Sequence, residues 1–412
     1  NMVDSIFIGQ GVGALAISGL AVTFPFMNLS AAFGAGVGVG SSSYLSVKLG
    51  QRDYSTAQRI LGNNITLNII IGFIFSVVSL IFLDPILYFF GASDQTIPYA
   101  REYMIIILLG NIITHLYFGM NAVLRAASKP RQAMYTTIFT VVLNSILDPL
   151  FIYTFDMGIR GAAIATILSQ TVALVWQIRL FSDKGELLHL KRGIYRLDNI
   201  IVKNILGIGI SPFAMNATAC LVAIFVNQRL LEYGGDLAVG AFGIANRVAF
   251  IFVMINMGVN QGMQPIAGYN YGAQKYDRLM RVLMLAMIAG TCVTTSGFIV
   301  AEFMPHLCVR LFTNDKVLTD LAVNGIRIMM AAMPIVGYQM IVTNFFQSIG
   351  KAKISIFLSL SRQLIFLVPL IAILPLFIGV NGVWVSLPIS DAFSAIFALV
   401  MMVRYMRVFK KR

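Results

Sequence analysis

The chain has 412 residues, 58% of them hydrophobic and only 11% charged, with a mean hydropathy of +0.83. A soluble domain carries roughly a quarter of its residues as charges, so this composition excludes a free-standing water-soluble enzyme or binding module. The net charge of +13 would raise nucleic acid as a partner in a soluble protein, and the placement of the charges has to decide that question.

In chain order, apolar runs near the ~20 residues that a membrane crossing needs predict helices at 1–12, 18–47, 56–83, 98–124, 131–154, 160–181, 203–231, 237–270, 278–302, 317–347, 353–377 and 381–405. The first run is short, and it is expected to be the later part of a span that starts before Asn1. Basic residues fall in alternate loops: Lys48, Arg52 and Arg59; Arg125, Lys129 and Arg131; the stretch from Arg179 to Lys203; Lys275, Arg278 and Arg281; Lys351, Lys353 and Arg362; and the terminal stretch from Arg404 to Arg412. The opposite set holds only Arg101, Arg160, Arg229, Arg247, Arg310 and Lys316, with Arg327 inside a helix. Because cytoplasmic loops collect Lys and Arg, both termini and the polar linker 183–202 are expected in the cytoplasm. The positive charge is topology, and no nucleic acid is expected.

The chain repeats itself. Leu49-Gly50-Gln51-Arg52-Asp53-Tyr54 resembles Tyr271-Gly272-Ala273-Gln274-Lys275-Tyr276 at a separation of 222 positions. The same separation sets Leu15-Ala16 on Leu237-Ala238, Arg59 on Arg281, Phe90 on Phe312, Lys129 on Lys351 and Arg131 on Lys353. One residue is then lost, and Gly158-Ile159-Arg160-Gly161 matches Gly379-Val380-Asn381-Gly382 at 221. The expected fold is an all-α integral membrane protein of twelve transmembrane helices in two parallel six-helix repeats: 1–182, the linker 183–202, and 203–412. Paired bundles of this kind place their sites near the membrane midplane.

Of the 17 acids, few fall within spans: Asp4, Asp148 and Asp391, with Asp84, Glu232 and Glu302 near helix ends. A carboxylate in the bilayer costs several kcal/mol unless it is neutralised, paired or wetted, so it is a functional candidate by default. Asp148 closes Asn144-Ser145-Ile146-Leu147-Asp148-Pro149. The four-residue spacing sets Asn144 and Asp148 on one helix face, and Pro149 removes an N–H and loosens the turn before it. A carboxylate, a carboxamide and freed carbonyls suit a hard monovalent cation; the alternative is a helix-end acid near the interface. Asp391 is either functional, or a structural residue that is paired or exposed to the lumen.

Gly34-Ala35-Gly36-Val37-Gly38-Val39-Gly40 lacks the strand that a dinucleotide fingerprint requires, so it reads as close helix packing. The second half is rich in methionine (Met254, Met257, Met263, Met329, Met330, Met333, Met340), which is filler or, where it lines a cavity, an adaptable apolar surface. His115, His189 and His306 lack ligand spacing, and so do Cys220, Cys292 and Cys308, which also suggest no disulfide framework. No hydrolase, zinc or phosphate-loop motif occurs, so an enzyme is not expected.

The string Gln261-Gly262-Met263-Gln264-Pro265-Ile266-Ala267-Gly268-Tyr269-Asn270-Tyr271-Gly272 resembles the hallmark of the MATE (multidrug and toxic compound extrusion) family. Asp4 with Phe7-Ile8-Gly9, and Asn144 to Pro149, are similar to its other signatures. The resemblance implies export of lipophilic, mostly cationic compounds in exchange for H⁺ or Na⁺ by alternating access. In the DinF/MepA-like branch it implies a cation site, with Na⁺ one candidate ion, at Asp4, Asn144, Asp148 and Thr166. It also makes Met254, Met257, Gln261, Met263, Gln264, Tyr269 and Asn270 candidates for a cargo cavity. The chain departs from the branch that uses acids in helices 7 and 10, since neither Ser211 to Val226 nor Met329 to Phe346 contains one here, so coupling is expected in the first half. No cofactor beyond the coupling ion is expected. The partners should be the lipid bilayer and small organic cations, and the protein should be a monomer in a bacterial plasma (inner) membrane. A lipid-linked precursor flippase of the same superfold and a non-transporting scaffold or sensor are the alternatives.

Overall fold

Backbone in hydrocarbon has no water to bond, so it must satisfy its own N–H and C=O groups, and a helix does so within one segment. The computed structural model describes residues 7–8, 14–310 and 315–410, and the described residues contain helices and no strands. Asp4 lies outside them, as do Gly9 and Phe312.

In chain order the helices are α1 (Ala14–Gly50), α2 (Tyr54–Ile81), α3 (Leu83–Phe89), α4 (Ile97–Leu109), α5 (Asn111–Ala126), α6 (Pro130–Pro149, running on through a π-turn at Leu150–Thr154) and α7 (Gly158–Ser182). They continue as α8 (Asn199–Gly235), α9 (Leu237–Gly272), α10 (Tyr276–Phe303), α11 (Pro305–Arg310), α12 (Lys316–Met330), α13 (Met333–Ser348), α14 (Ala352–Ile378) and α15 (Val380–Lys410). Among the described residues nine are long and apolar enough to cross a membrane, and eleven spans result if each bent pair is counted as one. The pairs are α4–α5, bent by 55° at Gly110, and α12–α13, bent by 50°.

The chain forms two units, Asn1–Asn216 and Ala217–Arg412, and the repeat is written into their backbones. Positive φ recurs at matched positions: Arg52 (60°) and Gln274 (58°), Ser128 (64°) and Gly350 (75°), Gly158 (55°) and Gly379 (61°). The turn bonds recur as well. Asp53 N–H donates to the Lys48 carbonyl at 3.0 Å, and Lys275 N–H to that of Asn270 at 2.9 Å. The short helices α3 and α11, which hydropathy does not separate from the spans before them, also stand 222 residues apart.

Helix contacts use the same seams with the bulk exchanged. In the first unit a Cβ on Gly119 would lie 2.4 Å from Asn68 Nδ2; at the matched seam of the second unit, one on Gly290 would lie 3.0 Å from Ile341 Cγ1. One side of each seam is bare and the other fills it, and which side is bare is reversed between the units.

The glycine run of α1 packs on two faces. Gly34 and Gly38 meet His115 and Gly119 of α5, with an added Cβ 3.1 Å from each. Gly36 and Gly40 meet α8, where a Cβ on Gly40 would stand 2.1 Å from the Ile205 carbonyl oxygen. These contacts hold the first part of α8, up to Asn216, in the first unit. The linker is itself strapped to α2: Thr66 Oγ1 donates to the Tyr195 carbonyl at 2.9 Å, and Asp198 N–H donates to Asn63 Oδ1 at 3.0 Å.

Arg362, which the sequence groups with the loop charges Lys351 and Lys353, stands instead inside α14, in its π-turn Ser361–Leu367. At the other set of helix ends the arginines meet acids, with Arg101 on Asp84 (Nε–Oδ1, 2.8 Å), Arg160 on Glu102 (2.8 Å) and Arg229 on Glu232 (2.7 Å).

Candidate functional site

The site is assembled where α6 loses its regularity. Its helical spacing stacks Asn144 over Asp148, and Asn144 Nδ2 donates to Asp148 Oδ1 at 3.0 Å. The same nitrogen reaches Thr166 Oγ1 of α7 at 3.5 Å. Asp148 is fully buried. Pro149 follows it with no N–H to give, and the chain widens into the π-turn, where the Phe155 N–H donates to the Leu150 carbonyl at 3.0 Å. π-Turns of this kind gather at functional sites. The described piece of the first predicted helix is tethered to the same turn, with Tyr153 Oη donating to the Phe7 carbonyl at 2.8 Å.

Three of the four expected cation-site residues, Asn144, Asp148 and Thr166, are thus brought together; Asp4 lies outside the described residues. No group of three or more His, Cys, Asp or Glu able to hold a metal occurs among the described residues. Among the described residues, a cation here would meet mixed oxygen donors with Asp148 as the charged one.

Thr166 also lines a small cavity of about 120 Å³ with Asn28, Ser30, Asn111, Thr114 and Gln170. Its wall is cross-linked: Ser30 Oγ donates to Asn111 Oδ1 at 2.7 Å, and Thr114 Oγ1 to Gln170 Oε1 at 2.6 Å. Buried His115 stands behind it, with Nε2 3.4 Å from Ser30 Oγ. Sequence reasoning misses these neutral residues because they come from α1, α5 and α7 without a shared spacing. The usable signal is that Asn111 and Thr114 follow Gly110, at the bend of a broken span.

On α1 the neighbouring positions face a larger, apolar cavity of about 650 Å³, walled by Phe26, Leu29 and Phe33 together with Ile74, Phe75 and Phe213. Phe33 and Phe213 approach to 4.6 Å between ring centroids, and Phe26 stacks on Phe75 at 5.5 Å. Both cavities lie wholly in the first unit.

The seven cargo candidates of the second half do not share one surface. Met254, Gln261 and Tyr269 are exposed and Met257 is half-buried, whereas Met263, Gln264 and Asn270 are buried in their own unit. There Gln264 bonds Asn344 at 3.3 Å, and Asn270 bonds the Ile266 carbonyl at 2.8 Å. Asp391 is paired, accepting from Arg362 Nε at 2.6 Å.

Two repeated helical units of long apolar helices, the first with a buried carboxylate–carboxamide–hydroxyl cluster beside a polar cavity, define a multi-pass membrane protein. The MatE family model matches residues 1–150 and 209–373, and the chain belongs to that family. It is 28% identical to the multidrug export protein MepA of Staphylococcus haemolyticus, an alignment covering 97% of this chain and 88% of that one. It is 27% identical to MepA of Staphylococcus aureus strain N315, with the same coverages. Among solved structures, that of the MATE multidrug transporter DinF-BH superposes with a TM-score of 0.90 at 35% identity, over 99% of this chain and 92% of that one. A crystal structure of a MATE in the bent conformation superposes at 0.94 over 100% and 91%; at 23% identity this likeness speaks for the fold alone. The chain is a MATE-type membrane transporter of the DinF/MepA kind.

Proposed function

We propose that this protein exports lipophilic, mostly cationic compounds in exchange for H⁺ or Na⁺, by alternating access of its two halves. On this reading it sits in a bacterial plasma membrane with both termini in the cytoplasm, where its loop lysines and arginines gather. The observation that carries the reading is the convergence of Asn144, Asp148 and Thr166, buried in the membrane span next to a polar cavity. The names of the MepA relatives and of DinF-BH support the multidrug class of cargo.

Asp148 supplies the charge that a cation answers. With the site empty the carboxylate depends on hydrogen bonds such as that from Asn144, and a proton or Na⁺ neutralises it outright. Thr166 joins the cluster to the polar cavity and gives the ion a path through neutral oxygens. The apolar cavity on the other face of α1 has the size and aromatic lining of a drug-sized site, so one helix separates ion from cargo. Ion binding that repacks α1 would alter both cavities together.

The test is Asp148→Asn in cells exporting ethidium. Export should stop while the protein still inserts and folds; export at the unaltered rate overturns the proposal.

A further inference from the structure

The second unit carries an ionic pair of its own, and its geometry leaves half of it unspent. Arg362 stands ten residues into α14 and Asp391 eleven into α15, about 15 Å from those helix starts at 1.5 Å per residue. That depth is near the middle of a hydrocarbon core about 30 Å thick, beyond the reach of lipid headgroups. Asp391 is only 8% exposed, while the Arg362 side chain is 33% exposed. The contact is end-specific, with Nε bonding Asp391 Oδ1 at 2.6 Å. The two terminal Nη groups bond no described residue. Arg362 lies in a π-turn and Asp391 three residues after Pro388, so both helices are irregular where the pair forms.

A buried ion pair is weak evidence for stability, because apolar residues of the same volume often serve as well. What this pair does achieve is orientation. A carboxylate on Nε fixes the guanidinium plane and leaves the Nη edge, which matches a carboxylate in bidentate geometry, turned away from it.

We propose that Arg362, oriented by Asp391, is a receptor for a carboxylate on the cargo, so that the second unit admits zwitterionic amphiphiles alongside cations. Arg362 is the binding residue and Asp391 its positioning residue. The inference rests on the export reading for the identity of the ligand as cargo, but the receptor itself can be tested by binding alone.

The test uses two dyes that differ only at the carboxyl group, the zwitterion rhodamine 110 and its methyl ester rhodamine 123. Binding to the purified full chain is followed by fluorescence anisotropy. A hydrogen bond to a charged group is among the stronger ones, so Arg362→Gln should weaken rhodamine 110 by about tenfold or more and leave rhodamine 123 within about twofold. Asp391→Asn should give a smaller loss, again for rhodamine 110 alone. Because Arg362→Gln strands a buried carboxylate, Arg362→Gln/Asp391→Asn serves as the second variant. It removes both charges and should show the same selective loss. Equal losses for both dyes, or undiminished rhodamine 110 binding, overturn the proposal. A wild-type protein that binds rhodamine 110 selectively through Arg362 but exports neither dye would contradict the export reading and leave the receptor standing.

Discussion

The α1–α8 seam makes a sharp demand on two residues. A Cβ added at Gly209 would lie 2.3 Å from the Gly36 carbonyl oxygen, and one at Gly40 2.1 Å from that of Ile205. Ordinary contact begins near 3.4 Å, so Gly209→Ala forces α8 away from α1 by about 1 Å. Neither neighbouring atom is a side-chain tip that can swing aside; both are backbone. A gap of 0.5–1 Å forfeits a quarter to a half of each dispersion contact along the seam, and overpacking of this kind costs about 1–3 kcal/mol. Gly207, two residues away on the same helix, has nothing within 4 Å of its would-be Cβ. There alanine removes only glycine's backbone freedom and should stabilise by about 0.5–1 kcal/mol. Thermal unfolding of the purified protein in one detergent therefore separates two identical substitutions by sign, with Gly209→Ala melting lower than the parent and Gly207→Ala the same or higher. Equal melting of the two variants would refute the close-packed seam.

Three further outcomes follow. Gly119→Ile alone should destabilise, because its side chain meets Asn68, whereas Asn68→Gly/Gly119→Ile rebuilds the arrangement of Gly290 and Ile341; a double-mutant cycle should recover about 1–3 kcal/mol of coupling. Asn144→Ala should remove a charge-assisted bond that competes with a cation for the Asp148 carboxylate and so tighten binding of a coupling proton about tenfold, read as a lower H⁺ concentration at half-maximal export. Burial pushes the carboxyl of Asp53 up, but bonds from Thr56, Lys48 and Ser55 outweigh it and hold it at about 2, below its ordinary 3.8. Its charge therefore stabilises fully above pH ~5 and is lost as pH falls through 3.8 towards 2. The stability difference between the parent and Asp53→Asn should shrink over that window and stay flat above it.

Much of the fold is legible in the sequence because a membrane imposes one length on each helix, and the internal repeat then predicts the second unit from the first. The bends within 97–126 and 316–348 were not legible, since hydropathy averages over a break that removes no apolar residue. Arg362 was misplaced for a different reason: tallying charges by the nearest loop assigns it to the loop of Lys351 and Lys353, although it lies well inside the helix that begins at Ala352. In the site, Asn144 and Asp148 could be found because they share one helix at a four-residue spacing. Ser30, Asn111 and Gln170 could not, because neutral polar residues from separate helices share no period. Met263 and Asn270 fell within a recognisable string, but only the packing of α9 shows that they face inward.

The central claim is that the carboxylate of Asp148 links ion and cargo movement. Proteoliposomes bearing the full chain can be given an H⁺ gradient or a Na⁺ gradient separately, with ethidium as cargo. One gradient should drive the dye against its own concentration difference in the parent, and neither should do so in Asp148→Asn although the dye still binds. Gradient-driven dye movement by Asp148→Asn at the parental rate would contradict it.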